Sequence, residues 1–418
     1  MRKVLSAAVA LGICLTLPAA ALAGAGVSDE QILKDLEYLR NKVAAQQEHI
    51  DALEGKQAKK GQVAVANEFI DQLTLKGDLR VRYEKRDKEY KEGKGSDVSR
   101  DRWRTRFRLG GIWDNKAENW QVGAGLATGS DDPTSTNDTW SETKSFETGD
   151  IRLDYAYAKH KWNDFIFTLG QAENPYKTSW VFWDGDVRLS GLTAQYGRKE
   201  GIFATLGGYG AKLVHDDNTS TLVAGQAGYK GKLAEAKYTL AAGYQTYSKS
   251  LINEGNAAFE LDRVDENKYE LNIGDLYGDI SFPVGDVKLK LYGQIWRNFG
   301  ADGEIGESQA ANFAKKPGDA DLGWVFGADA KYGAFKLGYA YSVVEADSLF
   351  GYLSDSDFGD GLNASKTNKK GHRVQLGYDI SKNWGTSLTW LSFEPNEDNV
   401  NYTVDQVDIC QFDLSYKF

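Results

Sequence analysis

The 418-residue chain carries 50 Lys and Arg against 60 Asp and Glu, a formal charge of −10, and this acidic balance argues against a nucleic-acid partner. No run of about 18 apolar residues occurs, so no transmembrane helix is expected. The mean hydropathy is that of a soluble protein, but a barrel whose polar lumen residues alternate with lipid-facing ones has the same average.

Residues 1–23 read as a secretory signal peptide. Arg2 and Lys3 give a positive start, Val4 to Leu17 an apolar run, and Ala21-Leu22-Ala23 a small-x-small cleavage site. Cleavage after Ala23 removes Cys14 and leaves Cys410, so no intramolecular disulfide is expected. The four His (49, 160, 215 and 372) have no metal-ligand spacing, and no metal or cofactor is expected.

Residues 24–57 form the next element. Ser28 and Gln31 have the spacing of a capping box. Ile32, Leu36, Leu39, Val43, Gln46, Ile50 and Leu53 then recur at alternating steps of four and three, a heptad seam with one polar position. Two readings fit: a lone amphipathic helix, or a short coiled coil, which requires an oligomer. The coiled coil is favoured, three-stranded if a trimeric barrel follows. Residues 58–72 read as a linker.

At Leu73 the period changes to two. Leu73, Leu75, Leu79, Val81 and Tyr83 alternate with Thr74, Lys76, Asp78, Arg80 and Arg82. Similar alternation recurs through to Cys410-Gln411-Phe412-Asp413-Leu414-Ser415-Tyr416-Lys417-Phe418, with about sixteen strand centres between residues 78 and 412. Connector lengths alternate as well. Lys161–Asp164, Gly333–Ala334 and Ser381–Asn383 are short, whereas Gly129–Asp150, Thr246–Asn267, Asn298–Asp321 and Val344–Gly371 are long and polar. Every Pro beyond the signal (133, 175, 283, 317 and 395) is expected in a connector. Trp103 and Trp113 share one face of one strand and would stand roughly 25 Å apart along the membrane normal, the spacing of two aromatic girdles. Trp120, Trp390, Tyr416 and Phe418 are assigned to the same girdles. The fold class is therefore all-β: a transmembrane antiparallel β-barrel of about 16 strands over 73–418, preceded by a short N-terminal helix. Gly123 to Gly129 superficially resembles a nucleotide-binding loop, but its spacing is wrong and no strand-to-helix context surrounds it.

With its even strand count, its heptad segment and its terminal aromatic, the chain resembles a general porin of the Gram-negative outer membrane. It is more closely similar to the putative porins that carry a heptad segment before strand one. Gly170-Gln171-Ala172-Glu173-Asn174-Pro175-Tyr176 through Trp183-Asp184-Gly185-Asp186 resembles that family's segment after strand five. The resemblance implies a homotrimer among outer-membrane lipid and lipopolysaccharide, with the helix in the periplasm and possible contact between helix and peptidoglycan. It implies passive diffusion of small hydrophilic solutes and ions, and no enzyme activity.

Two constellations would carry such a function. On the second strand Arg100, Arg102, Arg104, Arg106 and Arg108 share one parity, opposite Trp103, Phe107, Leu109 and Trp113. Arg80 and Arg82 face the same way on the first strand, and Arg152 on the fourth, beside Asp154. If the apolar parity meets lipid, these arginines line the pore. They either form one wall of a constriction, attracting anions or orienting the dipoles of solutes, or are fully neutralised by lumen carboxylates, and the sequence leaves both readings open. The second constellation is the third long loop, Gln171 to Leu189, with Glu173, Lys177, Trp180, Phe182, Trp183, Asp184, Asp186 and Arg188. A loop this aromatic is expected to fold inward and narrow the barrel, with Asp184 and Asp186 opposite Arg104, Arg106 and Arg108. The acids Asp347, Asp355, Asp357 and Asp360, and Asp302, Glu304 and Glu307, are read as solvated loop charges, or as sites for divalent cations between lipopolysaccharide phosphates. An anion-selective channel and an outer-membrane to cell-wall tether remain as alternative functions.

Overall fold

The computed structural model describes residues 30, 33–48, 70–212, 220–248, 270–301, 317–362, 366–397 and 403–418. The chain divides into two units, Met1–Asp71 and Gln72–Phe418. In the first, residues 33–48 are α-helical. Leu36, Leu39 and Val43 of the expected seam are exposed on that helix. Ile32, Ile50 and Leu53, the capping pair and the signal segment lie outside the described residues.

The second unit is a sheet of strands β1 (Leu73–Tyr90), β2 (Val98–Asn115), β3 (Trp120–Thr128), β4 (Asp138–Thr139), β5 (Ile151–Trp162), β6 (Phe165–Glu173), β7 (Arg188–Gly197), β8 (Gly201–Lys212) and β9 (Ser220–Leu233). It continues through β10 (Ala236–Tyr247), β11 (Asn272–Val284), β12 (Val287–Asn298), β13 (Leu322–Tyr332), β14 (Phe335–Val344), β15 (Lys369–Asp379), β16 (Trp384–Pro395) and β17 (Val404–Lys417). Sixteen of these form the wall, each antiparallel to its chain neighbours, and each contains one of the expected strand centres. β1 pairs with both β2 and β17, so the sheet closes into a cylinder and the ladder satisfies its own backbone groups. The seventeenth, β4, is two residues long and pairs with β2 at Arg104↔Thr139 and Thr105↔Asp138, beyond the end of β3.

Closure follows from the alternation. Leu75, Leu79, Phe107, Leu109, Leu126, Leu240, Leu276, Phe326 and Phe412 stand exposed on the outer face. Asp78, Arg82, Glu84, Arg104, Asp154, Gln226, Asp275, Gln294 and Asp413, of the other parity, are buried inside. Trp103, Trp120, Trp390 and Phe418 are exposed, while Trp113 and Tyr416 are half-buried. The tight turns use the left-handed backbone that suits the strand twist: Asn163 (φ 54), Gly285 (φ 57) and Gly333 (φ 55).

Two prolines depart from the expectation. Pro283 lies inside β11 and Pro395 ends β16. Pro283 is paired only with Lys288 of β12 and lies past the last pair with β10, Lys237↔Ser281, so no ladder bond to that side is lost.

The buried apolar cluster sits within the cylinder. It joins Leu222, Ile273, Trp296, Val325 and Val344 of the inner wall to two connectors, 174–187 and 345–368. The first contributes Tyr176, Val181, Phe182, Trp183 and Val187; the second contributes Leu349, Phe350, Phe358 and Leu362.

Candidate functional site in the barrel lumen

The register of β1 with β2 sets the charged wall. Asp78↔Arg108, Arg80↔Arg106, Arg82↔Arg104, Glu84↔Arg102 and Arg86↔Arg100 are cross-strand pairs on the inner face. Five arginines in a row would repel one another strongly at low dielectric, but carboxylates interrupt them. Arg82 donates from Nε and Nη2 to Asp413 at 2.7 and 2.9 Å, and from Nη1 to Asp357 at 3.0 Å. Arg102 Nε donates to Glu84 at 2.6 Å. Arg104 lies 3.7 Å from Glu84 and 3.8 Å from Asp357. Arg106 and Arg108 grip the two oxygens of Asp78 at 2.9 and 2.7 Å. Arg86 reaches Asp360 at 2.5 Å, and Arg100 lies 3.8 Å from the same carboxylate. Arg80 donates to Asn137 and lies 3.9 Å from Asp413. Five carboxylates thus contact eight arginines, so the ladder is neutralised in large part but not in full.

Asp357 and Asp360 therefore correct the reading of their acid run as solvated charges or divalent-cation sites. They sit on a connector that folds inward, and their carboxylates are taken by arginines of β1 and β2. Asp302, Glu304 and Glu307 lie outside the described residues.

The connector after β6 is anchored to the inner wall through its backbone. Asn174 Oδ1 accepts from Tyr176 N at 2.8 Å, which turns the chain inward. Tyr176 donates its hydroxyl to Ala224 O at 2.9 Å. Gln226 accepts from Lys177 N at 2.8 Å and donates to Lys177 O at 2.9 Å. Gln294 accepts from Ser179 N at 2.6 Å. Phe182 meets Trp296 edge-on, with ring centres 5.3 Å apart. Trp180 meets Phe358 at 5.4 Å, and the Arg373 guanidinium lies 4.6 Å over its ring.

The two aspartates of this connector separate. Asp186 faces the ladder: its carboxylate lies 3.3 Å from Arg108 and accepts from Thr136 N and Oγ1 at 3.2 and 2.9 Å. Burial pushes the Asp186 carboxyl up, but Arg106, Arg108 and Thr136 outweigh it and hold it below the usual range. Asp184, expected opposite Arg104, Arg106 and Arg108, makes no ion pair with them among the described residues, although it borders the same cavity as Arg106. It faces the second connector, accepting from Ser356 N at 3.2 Å and donating its backbone N–H to Leu353 O at 2.8 Å. Burial and the nearby Asp355 and Asp186 push the Asp184 carboxyl up to about 8. Asp355 is raised by burial and by Asp357. Burial also opposes the charge of Asp357, but Arg82 and Arg104 hold it well below the usual carboxylate range.

The other residues expected at the site are more scattered. Glu173 ends β6 and Lys177 is exposed. Trp183 is buried against Tyr176 rather than open to the lumen. Arg188 begins β7 and lies 3.1 Å from Asp154. Arg152 donates instead to Ser130 O and Asp132 O in the connector after β3.

Three adjoining cavities remain. One of about 1120 Å³ opens among Lys288, Lys290, Lys331, Lys336, Lys382 and Lys417, with Asp329 and Asp379. One of about 270 Å³ lies between Arg80, Arg106 and Arg373, with Asp184, Asp186 and Asp413. One of about 250 Å³ is lined by Trp180, Tyr277, Lys290, Tyr292, Asp329 and Arg373. Gln375 borders all three. Sequence reasoning missed Arg373, Lys290 and the inward fold of 345–362. The last had a weaker signal: Leu349, Phe350, Phe358 and Leu362 are large apolar residues in an otherwise polar connector.

Residues 89–250 and 282–418 match the model of a family described as Putative porin. No curated protein matches the sequence. Among solved structures, the high-pH structure of Pseudomonas putida OprB superposes with a TM-score of 0.56 at 11% identity, covering 84% of this chain and 96% of that one. Salmonella typhi OmpF in complex with daunomycin gives 0.49 at 13% identity, over 83% of this chain and 97% of its own. An anion-selective porin from Comamonas acidovorans gives 0.48 at 12%, over 83% and 99%. At these identities the likeness concerns the fold, and OprB is the comparison that carries it.

Proposed function

The chain belongs to the putative porin family, an outer-membrane channel family, and from that premise we propose that it lets small hydrophilic solutes and ions diffuse passively through a water-filled lumen narrowed by residues 174–187. The observation that carries this reading is the pair of inward connectors. They fill the apolar half of the cylinder and leave polar space beside the charged wall of β1, β2 and β17. Asp186 of the connector pairs with Arg108 of the wall, so the connector is held against the charged side and the polar space beside it stays lined by Arg80, Arg106 and Arg373 with Asp184 and Asp413. β1 begins at the short-turn end, so the helix over 33–48 belongs in the periplasm, and its exposed seam suits a homotrimer. The exposed outer face meets lipid and lipopolysaccharide.

Planar-bilayer recording and liposome swelling test this. The folded protein should give stepwise conductance in KCl and admit small neutral sugars. Folded protein that gives neither would overturn the channel reading.

A further inference from the structure

On β1 and β2, eight arginines are in contact with six carboxylates, Asp78, Glu84, Asp186, Asp357, Asp360 and Asp413, so much of the ladder's charge is already engaged and a mobile anion gains less there. The opposite wall differs. Arg373 on β15 makes no ion pair among the described residues; Asp329 and Asp355 feel its charge without pairing with it. Its guanidinium carbon lies 4.6 Å over the Trp180 ring, a cation–π contact that satisfies no N–H group and leaves the planar fork its donors. Arg373 also borders both smaller cavities, so any solute passing between them passes this side chain.

The space of about 250 Å³ beside it holds a second cation, Lys290, the phenols of Tyr277 and Tyr292, and the acceptors Asp329 and Gln375. We propose that this is a binding station for a small hydroxylated carboxylate of the sugar-acid class. Arg373 takes the carboxylate in its planar fork, which suits two parallel hydrogen bonds. Lys290 adds charge, while the tyrosines, Asp329 and Gln375 pair with the hydroxyls. Asp329 disfavours a second negative charge at the far end of the solute. The volume is below that of a drug-sized pocket and suits a small solute. This station rests on the channel reading and gives it a preferred cargo.

The test is block of KCl current through the whole protein in planar bilayers, with gluconate as probe and glucose and inorganic phosphate as comparisons. Gluconate should block at lower concentration than either. Arg373→Ala should raise its half-blocking concentration at least tenfold while KCl current persists, with Arg373→Lys in between. Unchanged gluconate block in Arg373→Ala would overturn the station and leave the channel reading standing. Phosphate block at the gluconate concentration would overturn the assignment to hydroxylated acids. Absence of any KCl current from folded protein would overturn the channel reading and the station with it.

Discussion

Glu84 is the most enclosed charge on the ladder. It is 1% exposed, 2.6 Å from Arg102, 3.7 Å from Arg104 and 4.0 Å from Arg100. It also accepts from Gln411 Nε2 at 3.0 Å, which ties β1 to β17. Neutralising a buried acid of this kind leaves several guanidiniums without their counter-charge, at a cost of about 3–5 kcal/mol. Glu84→Gln should therefore lower the urea midpoint of the folded protein in detergent and shift the reversal potential in a KCl gradient toward chloride. An unchanged midpoint would mean that water or Asp360 compensates. The parity of the ladder was legible in the sequence, because side chains alternate strictly along a strand. Its neutralisation was not, because Asp357, Asp360 and Asp413 lie far away in the chain and nothing local links them to Arg82 or Arg86.

At the scale of elements, the two inward connectors hold one another and the wall. Trp296, 1% exposed, carries Phe182 at 5.3 Å, and a Cβ added at Gly323 would meet its indole at 2.2 Å. Trp296→Ala opens a cavity, and Gly323→Val displaces the ring; losing a buried aromatic side chain typically costs about 3–5 kcal/mol. Both variants should free the connector after β6 and raise single-channel conductance or its noise. A steady wild-type current from both would show that the backbone anchors at Gln226 and Gln294 suffice.

The contact between the connectors also responds to pH. The Asp184 carboxyl keeps its proton up to about 8 in the folded chain but releases it near 3.8 when unfolded. Its contribution to stability is thus full below the lower value and is lost as pH rises through the upper one. Above that point its charge faces Asp355 and loosens the contact. Asp186 and Asp357 have the opposite sign: they stabilise above the ordinary carboxylate range and lose that contribution in acid. Current fluctuations should therefore increase as pH rises past about 8. Asp184→Asn should abolish that alkaline step; its persistence in the variant would locate the titration elsewhere.

At the scale of the whole molecule, the barrel was legible because each strand reports its own two faces, and because long and short connectors alternate between the two ends. Which connectors turn inward was harder to read, since packing against a distant wall leaves only a local excess of aromatics. The relation between the two units is not written in either of those patterns, and it is the part most open to test. The ladder of β1 is complete without the first unit, as Asp78 to Tyr90 pair with β17 and Leu73 to Lys88 pair with β2. Deleting residues 24–57 should therefore leave a folded barrel with unchanged conductance per pore. The exposed Leu36, Leu39 and Val43 have no partner within their own helix, and a heptad seam is buried only by another helix. If that partner is a second copy, the deletion should lower the temperature at which the oligomer dissociates in detergent, or lower its mass by light scattering. An oligomer of the same mass and thermal stability would mean that barrel contacts alone assemble it, and would leave the lone amphipathic helix as the reading of this segment.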